Sequence, residues 1–164
     1  MATRRVEEQL DRISALREVP TAEAIPALRK GLADRVNVVV AKAAKVAAER
    51  QLRELIPDLL AAFDRMFEHP AERDPQCWAK NALASALRDL EHRESAPFQR
   101  GMRHVQMEPV WGKHEDTAQP LRGICRNGAP LVGNNMKRFQ YEKGSLLLAG
   151  LYPFGYAEAS SPAN

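Results

Sequence analysis

The fold of this chain is decided by residues 36–67, which read VNVVVAKAAKVAAERQLRELIPDLLAAFDRMF. The first half is so rich in alanine and valine that, as a helix, most of its circumference must be buried. The second half has apolar residues at steps of one, three and four, which places a wide apolar stripe on one helix face. Neither helix can bury its apolar face alone, so further helices must pack against both. The stripe of the second helix consists of Leu55, Ile56, Leu59, Leu60, Phe63, Met66 and Phe67.

The composition is that of a single globular domain. The chain has 164 residues, 45% of them hydrophobic and 27% charged, which is enough to bury a core. The net charge of +3 is a small surplus, which leaves nucleic-acid binding open without indicating it. Glu7 and Glu8 interrupt the N-terminal segment where a secretory signal needs an apolar core, and no run approaches the roughly 18–20 apolar residues of a membrane span. We therefore expect a cytoplasmic protein that does not associate with membranes.

More helices are predicted on both sides of the central stretch. Residues 3–18 carry apolar side chains at steps of four, three and three, which predicts an amphipathic helix that caps the array. Thr21 opens the next helix, and Asp74-Pro75 opens another, because proline is tolerated in the first turn. The last two predicted helices begin near Ser95 and near Asp116.

Parts of these helices repeat. Residues 24–28 (Ala-Ile-Pro-Ala-Leu) are echoed further along the chain by residues 55–59 (Leu-Ile-Pro-Asp-Leu), with a weaker copy around Pro97. The Ala-rich helices also correspond, in a register that matches Val40 with Trp78 and Lys42 with Lys80. This register places Trp78 in the core and Lys80 on the surface. A unit of roughly 30 to 45 residues that contains two helices is typical of an α-solenoid.

At these residues the chain resembles the HEAT-repeat family. In that family a first helix opens with an Ile-Pro-x-Leu type motif, turns at an aspartate and continues into a second helix rich in alanine and valine. Residues 25–28, Asp34 and the helix from Val36 supply these parts in the same order. The resemblance covers about residues 21–125. It implies an all-α fold, a short α-solenoid of about three HEAT-like helix pairs with an N-terminal capping helix.

The resemblance also sets the expected domain organisation, with a helical repeat domain at residues 1–125 and an irregular segment at residues 126–164. Gly128, Pro130 and Gly133 break the pattern after Cys125. The final segment is a degenerate last repeat, or the result of truncation or of a shifted reading frame. A plain helical bundle with accidentally similar helices is the alternative to the whole repeat interpretation.

No residue pattern in the sequence indicates catalysis. There is no Ser-His-Asp order, no Gly-rich phosphate loop and no CxxC pair. His104 and His114 with Glu115 and Asp116 make a conceivable metal set, but acidic residues beside a loop histidine are typical of a solvated surface. Cys77 and Cys125 are expected to be small buried thiols. We therefore predict no catalytic residues, no metal and no cofactor.

The predicted function is a non-enzymatic scaffold or adaptor that binds a protein partner. In HEAT-type arrays the second helix of each pair usually lines the concave surface, so its polar positions are the candidates for contact. They are Lys42, Lys45, Glu49, Lys80, Asn81, Arg88 and Arg122.

The alternative is a nucleic-acid-binding protein. Alkylpurine DNA glycosylases are also HEAT-like, and they use aromatic, acidic and basic residues on the concave face. Lys42 with Lys80, and the basic segment from Arg100 to Lys113, favour this interpretation. The residues that invite the comparison with glycosylases are Trp78, Trp111, Asp116 and Arg122.

The predicted core consists of large apolar residues at helical spacing. They are Val39, Val40, Val46, Leu55, Ile56, Leu59, Leu60, Phe63, Leu83 and Leu87.

Overall fold

The computed structural model describes residues 2–129, and this part of the chain is mostly helical, in agreement with an all-α class. One short β-hairpin interrupts it, although the sequence predicts only a break between two helices at residues 109–113. Single 3₁₀ turns at Arg53–Leu55 and Pro75–Cys77 lead into two of the helices. The elements are α1 (Ala2–Ala15), α2 (Thr21–Leu32), α3 (Asn37–Glu49), α4 (Ile56–Arg65), the single turn α5 (Pro70–Arg73), α6 (Trp78–Asp89), α7 (Ser95–Arg103), β1 (Met107–Val110), β2 (Lys113–Asp116) and α8 (Gln119–Gly128).

The helices of this part of the chain lie in two layers. In one layer α3 packs along α6, with α1 on the other side of α3 and α8 on the other side of α6. The second layer contains α2, α4 and α7, each of which packs against its neighbour and against the first layer. The large apolar side chains lie between the layers, where Phe63, Leu59 and Leu83 are fully buried.

Helices α3 and α6 end in the same way. Gln51 and Glu91 follow them with φ of 55° each, in the left-handed region. The N–H of Leu52 then donates to the carbonyl of Ala47, and that of His92 donates to the carbonyl of Leu87. This is the Schellman arrangement, which satisfies carbonyls that the helix leaves free.

The burial patterns of α3 and α6 also match, but in a register two positions away from the predicted one. The correction is large, because a shift of two positions turns a side chain by about 200° around the helix axis. Lys80 therefore occupies the core position of Val40 and is 0% exposed, while Trp78 is 54% exposed. The predictions that Trp78 is a core residue and that Lys80 lies on the surface are both wrong. The matching buried pairs are Val39 with Ala79, Val40 with Lys80, Ala43 with Leu83, Ala44 with Ala84, Val46 with Ala86, and Ala47 with Leu87.

Most of the predicted core is confirmed. Ile56 and Leu60 are the exceptions, because they are only half-buried, on the flank of α4. The confirmed residues are Val39, Val40, Val46, Leu55, Leu59, Phe63, Leu83 and Leu87.

The hairpin of β1 and β2 connects α7 to α8. Its strands pair antiparallel, with Met107 opposite Asp116 and Val110 opposite Lys113. Trp111 and Gly112 form the turn with φ of 41° and 83°, the two positive values that a tight hairpin turn requires.

The last helix passes the predicted domain boundary. Helix α8 continues to Gly128, beyond Cys125. The rest of the predicted irregular segment, with its interpretation as a degenerate, truncated or frame-shifted repeat, lies outside the described residues.

Candidate partner-binding surface

A groove runs between the exposed faces of α3 and α6. It has a volume of about 530 Å³. Its floor contains the methyl groups of alanines, and charged or polar side chains form its rim. The lining residues are Lys45, Ala48, Glu49, Gln51, Ala82, Ser85, Ala86 and Asp89.

Two of the predicted contact residues, Lys45 and Glu49, line this groove and are exposed. Lys42 lies on the same face of α3, about one turn before Lys45, and is half-buried. Asn81 and Arg88 are half-buried on α6. Within residues 2–129, the amide oxygen of Asn81 is shielded from solvent and has no hydrogen-bond partner.

The two carboxylates on the rim are already paired within the chain. Nε of Arg17 donates to Glu49 at 2.7 Å, and this hydrogen bond lowers the pKa of the Glu49 carboxyl, although partial burial acts against it. The guanidinium of Arg88 contacts Asp89 at 2.9 Å. In contrast, neither Lys42 nor Lys45 forms an ion pair with another described residue. Both lysines also act electrostatically on Glu49 and help to lower the pKa of its carboxyl, after the larger effect of Arg17.

Lys80 has no access to this surface. Its Nζ lies 3.1 Å from Oδ2 of Asp74 and donates to the carbonyl of Met66 at 3.1 Å, and both charged side chains are 0% exposed. Asp74 also accepts the backbone N–H groups of Ala79 and Lys80, so it caps the N-terminus of α6. The lysine joins the end of α4 to the start of α6 across the segment between them, which explains its burial.

Arg122 is anchored in a second polar cluster. It contacts Oδ2 of Asp116 at 2.6 Å and donates to the carbonyl of His104 at 2.9 Å. The hydrogen bond from Arg122 holds the pKa of Asp116 below its usual range. These contacts position the hairpin against α8. Arg122 therefore stabilises the fold, and its guanidinium is largely occupied by contacts within the chain.

A buried carboxylate fixes the hairpin to the start of α6. Glu108 on β1 accepts hydrogen bonds from the N–H of Gln76 at 2.8 Å, from the hydroxyl of Thr117 at 2.9 Å, and from the amide of Gln106. Burial by itself raises the pKa of Glu108, but these hydrogen bonds outweigh it, and the pKa is lowered. The hairpin is therefore held in a defined position beside α6.

Two tryptophans and a methionine are exposed, and for Trp78 this contradicts the predicted core position. Trp78 lies on the outer face of α6 with its indole N–H donating to Oε1 of Gln76 at 3.1 Å. Trp111 at the tip of the hairpin is 100% exposed, and Met107 on β1 is 53% exposed. The sequence carries no signal for this exposure, because Gln76 and Cys77 are not typical of the left-handed turn that shifts the start of α6 relative to α3.

The basic segment from Arg100 to Lys113 is partly neutralised. Arg100 contacts Asp64 at 2.6 Å and lies 4.3 Å from the centre of the Phe67 ring, while Lys113 contacts Glu115 at 2.7 Å. Burial lowers the pKa of His104, whose Nε2 is 3.0 Å from Oε1 of Gln106. Burial thus favours the neutral form of His104, so this residue contributes little to the positive charge of the segment.

No metal-binding cluster is assembled in residues 2–129. In that range no three side chains of His, Cys, Asp or Glu converge where they could hold a metal ion. Cys77 and Cys125 are buried free thiols, as predicted, and burial raises the pKa of Cys125 to about 12. Such a thiol stays protonated and unreactive at neutral pH.

As for membranes, none of the helices in the described range combines the length and the apolar character needed to span a bilayer.

Comparisons with known proteins do not assign the chain to a family. Neither a protein-family model, nor a curated protein, nor a solved structure matches the chain.

Proposed function

We propose that this chain is a short HEAT-like α-solenoid that serves as a non-enzymatic scaffold and binds a protein partner in the groove between α3 and α6. The observation that carries the proposal is the groove itself, since it is open, has small side chains on its floor and charges of both signs on its rim. Protein-binding surfaces typically combine an apolar centre with a polar rim.

The packing of the helices supports the solenoid. Apart from the single turn α5, each helix of residues 2–129 packs mainly against helices adjacent in its own layer or in the facing layer, and no extensive contact joins α1 to α8. In a closed bundle the first and last helices would pack together. The common burial pattern of α3 and α6 also favours a repeated unit.

The nucleic-acid alternative is weaker, because most of the cations on which it depends are buried or paired with carboxylates of the same chain. Lys80 is buried, so no ladder from Lys42 to Lys80 exists on the surface. Arg100, Arg122 and Lys113 each contact a carboxylate of the same chain. A phosphate backbone needs several available cations in a row.

The test is capture of partners from the source cell with the full chain as bait. Ser85→Trp places a large ring in the groove, and we expect it to abolish capture of a protein that the unchanged chain retains after nuclease treatment. Ala61→Trp is the matched control, because Ala61 is exposed on α4 in the other layer. Capture of nucleic acid that is lost between ~50 and ~200 mM salt would overturn the proposal.

A further inference from the structure

We infer that the groove between α3 and α6 takes an acidic peptide segment of the partner, an assignment of ligand chemistry that rests on the proposed function. The charges, the shape and the floor of the groove each contribute to this assignment.

The charge available to a ligand is positive. Glu49 is bonded to Arg17 and Asp89 to Arg88, so both carboxylates are offset within the chain. Lys42 and Lys45 lie on one face of α3, where they act electrostatically on Glu49 but form no ion pair at contact distance with a described residue, so their charge exceeds what the chain itself offsets. Complementary charge across an interface governs which partner is accepted. A segment with aspartate or glutamate is therefore favoured, and a basic segment is repelled.

The groove is closed at one end. The side chain of Gln51, after α3, donates to the carbonyl of Asp89 at the end of α6 at 3.4 Å, and Arg53 contacts Glu91 at 2.6 Å just beyond. A ligand must therefore extend in the other direction, toward the start of α6.

Trp78 does not line the groove itself, but it lies on the same face of α6, one turn before Ala82. Trp78, Ala82, Ser85 and Asp89 follow one another at steps of three or four and share one face of α6. The distance from Asp89 to Trp78 along the helix is about 16 Å, at about 1.5 Å per residue. An extended peptide covers this distance with about five residues, at about 3.3 Å each.

The alanine floor of the groove and the ring of Trp78 favour an apolar side chain in the ligand, in addition to its acidic residues. Methyl groups of Ala48, Ala82 and Ala86 line the floor, so a side chain that enters the groove between the charges is apolar. The indole N–H of Trp78 already donates to Gln76, which leaves its ring to pack against apolar groups. The ligand is thus an acidic segment of about five residues that contains at least one apolar side chain.

The experiment uses a library of synthetic random peptides, each about nine residues long so that it covers the five positions. The library is panned against the immobilised full chain, and bound peptides are sequenced. We expect Asp and Glu to be enriched together with an apolar residue. The double variant Lys42→Glu/Lys45→Glu should bind the selected peptides at least tenfold more weakly, while Lys30→Glu, an exposed lysine on α2, should leave the affinity unchanged.

The outcomes separate this inference from the proposed function. Selected peptides that are neutral or basic and are displaced by Ser85→Trp overturn the acidic assignment but leave the groove as a binding site. Acidic peptides that bind Ser85→Trp as well as the unchanged chain overturn the assignment to the groove. A panning that selects no peptide overturns the peptide assignment, and the proposed function is overturned only if capture of the whole partner is also unaffected by Ser85→Trp.

Discussion

Lys80 is the residue whose position most changes the interpretation of this protein. It is fully buried with Asp74, yet the equivalent residue of α3 is Val40. The lysine is retained in an apolar layer because it satisfies the carbonyl of Met66 at the end of α4 as well as the aspartate. A buried pair of this kind costs desolvation energy, and removal of one partner leaves the other charge uncompensated.

We predict that Lys80→Met lowers the free energy of unfolding by about 3–5 kcal/mol, because the buried Asp74 carboxylate loses its counter-charge. Urea denaturation followed by circular dichroism measures this change. Lys45→Met is the control, and since Lys45 is exposed we expect a change within about 0.5 kcal/mol. If the two variants were equally stable, Lys80 would have to reach solvent.

At the level of the elements, close approach of α7 to α8 depends on a small residue. Gly101 on α7 is buried, and a methyl group at this position would overlap Sγ of Cys125 on α8. Phe63 on α4 lies against the same point, 3.5 Å away, so three helices meet there. The glycine is required for its size and not for its backbone, because it lies within a regular helix.

We predict that Gly101→Ala destabilises the protein by about 1–3 kcal/mol through overpacking. Adding Cys125→Ala should restore part of the loss, since the remaining neighbour, Cβ of Cys125, is 3.4 Å away. Thermal unfolding of the single and double variants measures the coupling. Gly123→Ala is the control: a methyl group there meets nothing within 4 Å, so the change should stabilise α8 by up to about 1 kcal/mol. Purely additive effects of the Gly101 and Cys125 changes would contradict the contact.

At the scale of the whole molecule, the two-layer packing predicts that perturbations stay local. Ile13 on α1 is buried, and its side chain lies against Gly31 on α2. Helix α1 packs mainly on α3, several helices away from α7 and α8. In a solenoid, each unit is stabilised chiefly by its neighbours.

We predict that Ile13→Ala, which removes about 2–4 kcal/mol of packing energy, strongly increases amide hydrogen exchange in α1 and leaves α7 and α8 nearly unchanged. Hydrogen exchange followed by mass spectrometry provides the measurement. Leu121→Ala on α8 is the converse, with exchange increased in α8 and unchanged in α1. An equal loss of protection in all helices would favour a single cooperative bundle.

The sequence by itself determined the helical class, most of the core and two of the residues that line the groove. These features follow from periodicity within a single helix, as at Leu59 and Phe63. Such periodicity depends only on residues that are close in the sequence. Lys45 and Glu49 were found in the same way, because the polar face of α3 is evident from its spacing.

Only the tertiary structure decided the register between helices. The left-handed residues Gln76 and Cys77 delay the start of α6, so Trp78 faces solvent and Lys80 enters the core, and spacing along the sequence does not reveal this rotation. The hairpin and its anchor Glu108 depend on partners that are distant in the sequence, such as the N–H of Gln76. Charge pairing is equally non-local, because the ion pair of Arg17 with Glu49 exists only once the helices are packed, and it decides which charges of the groove remain for a ligand.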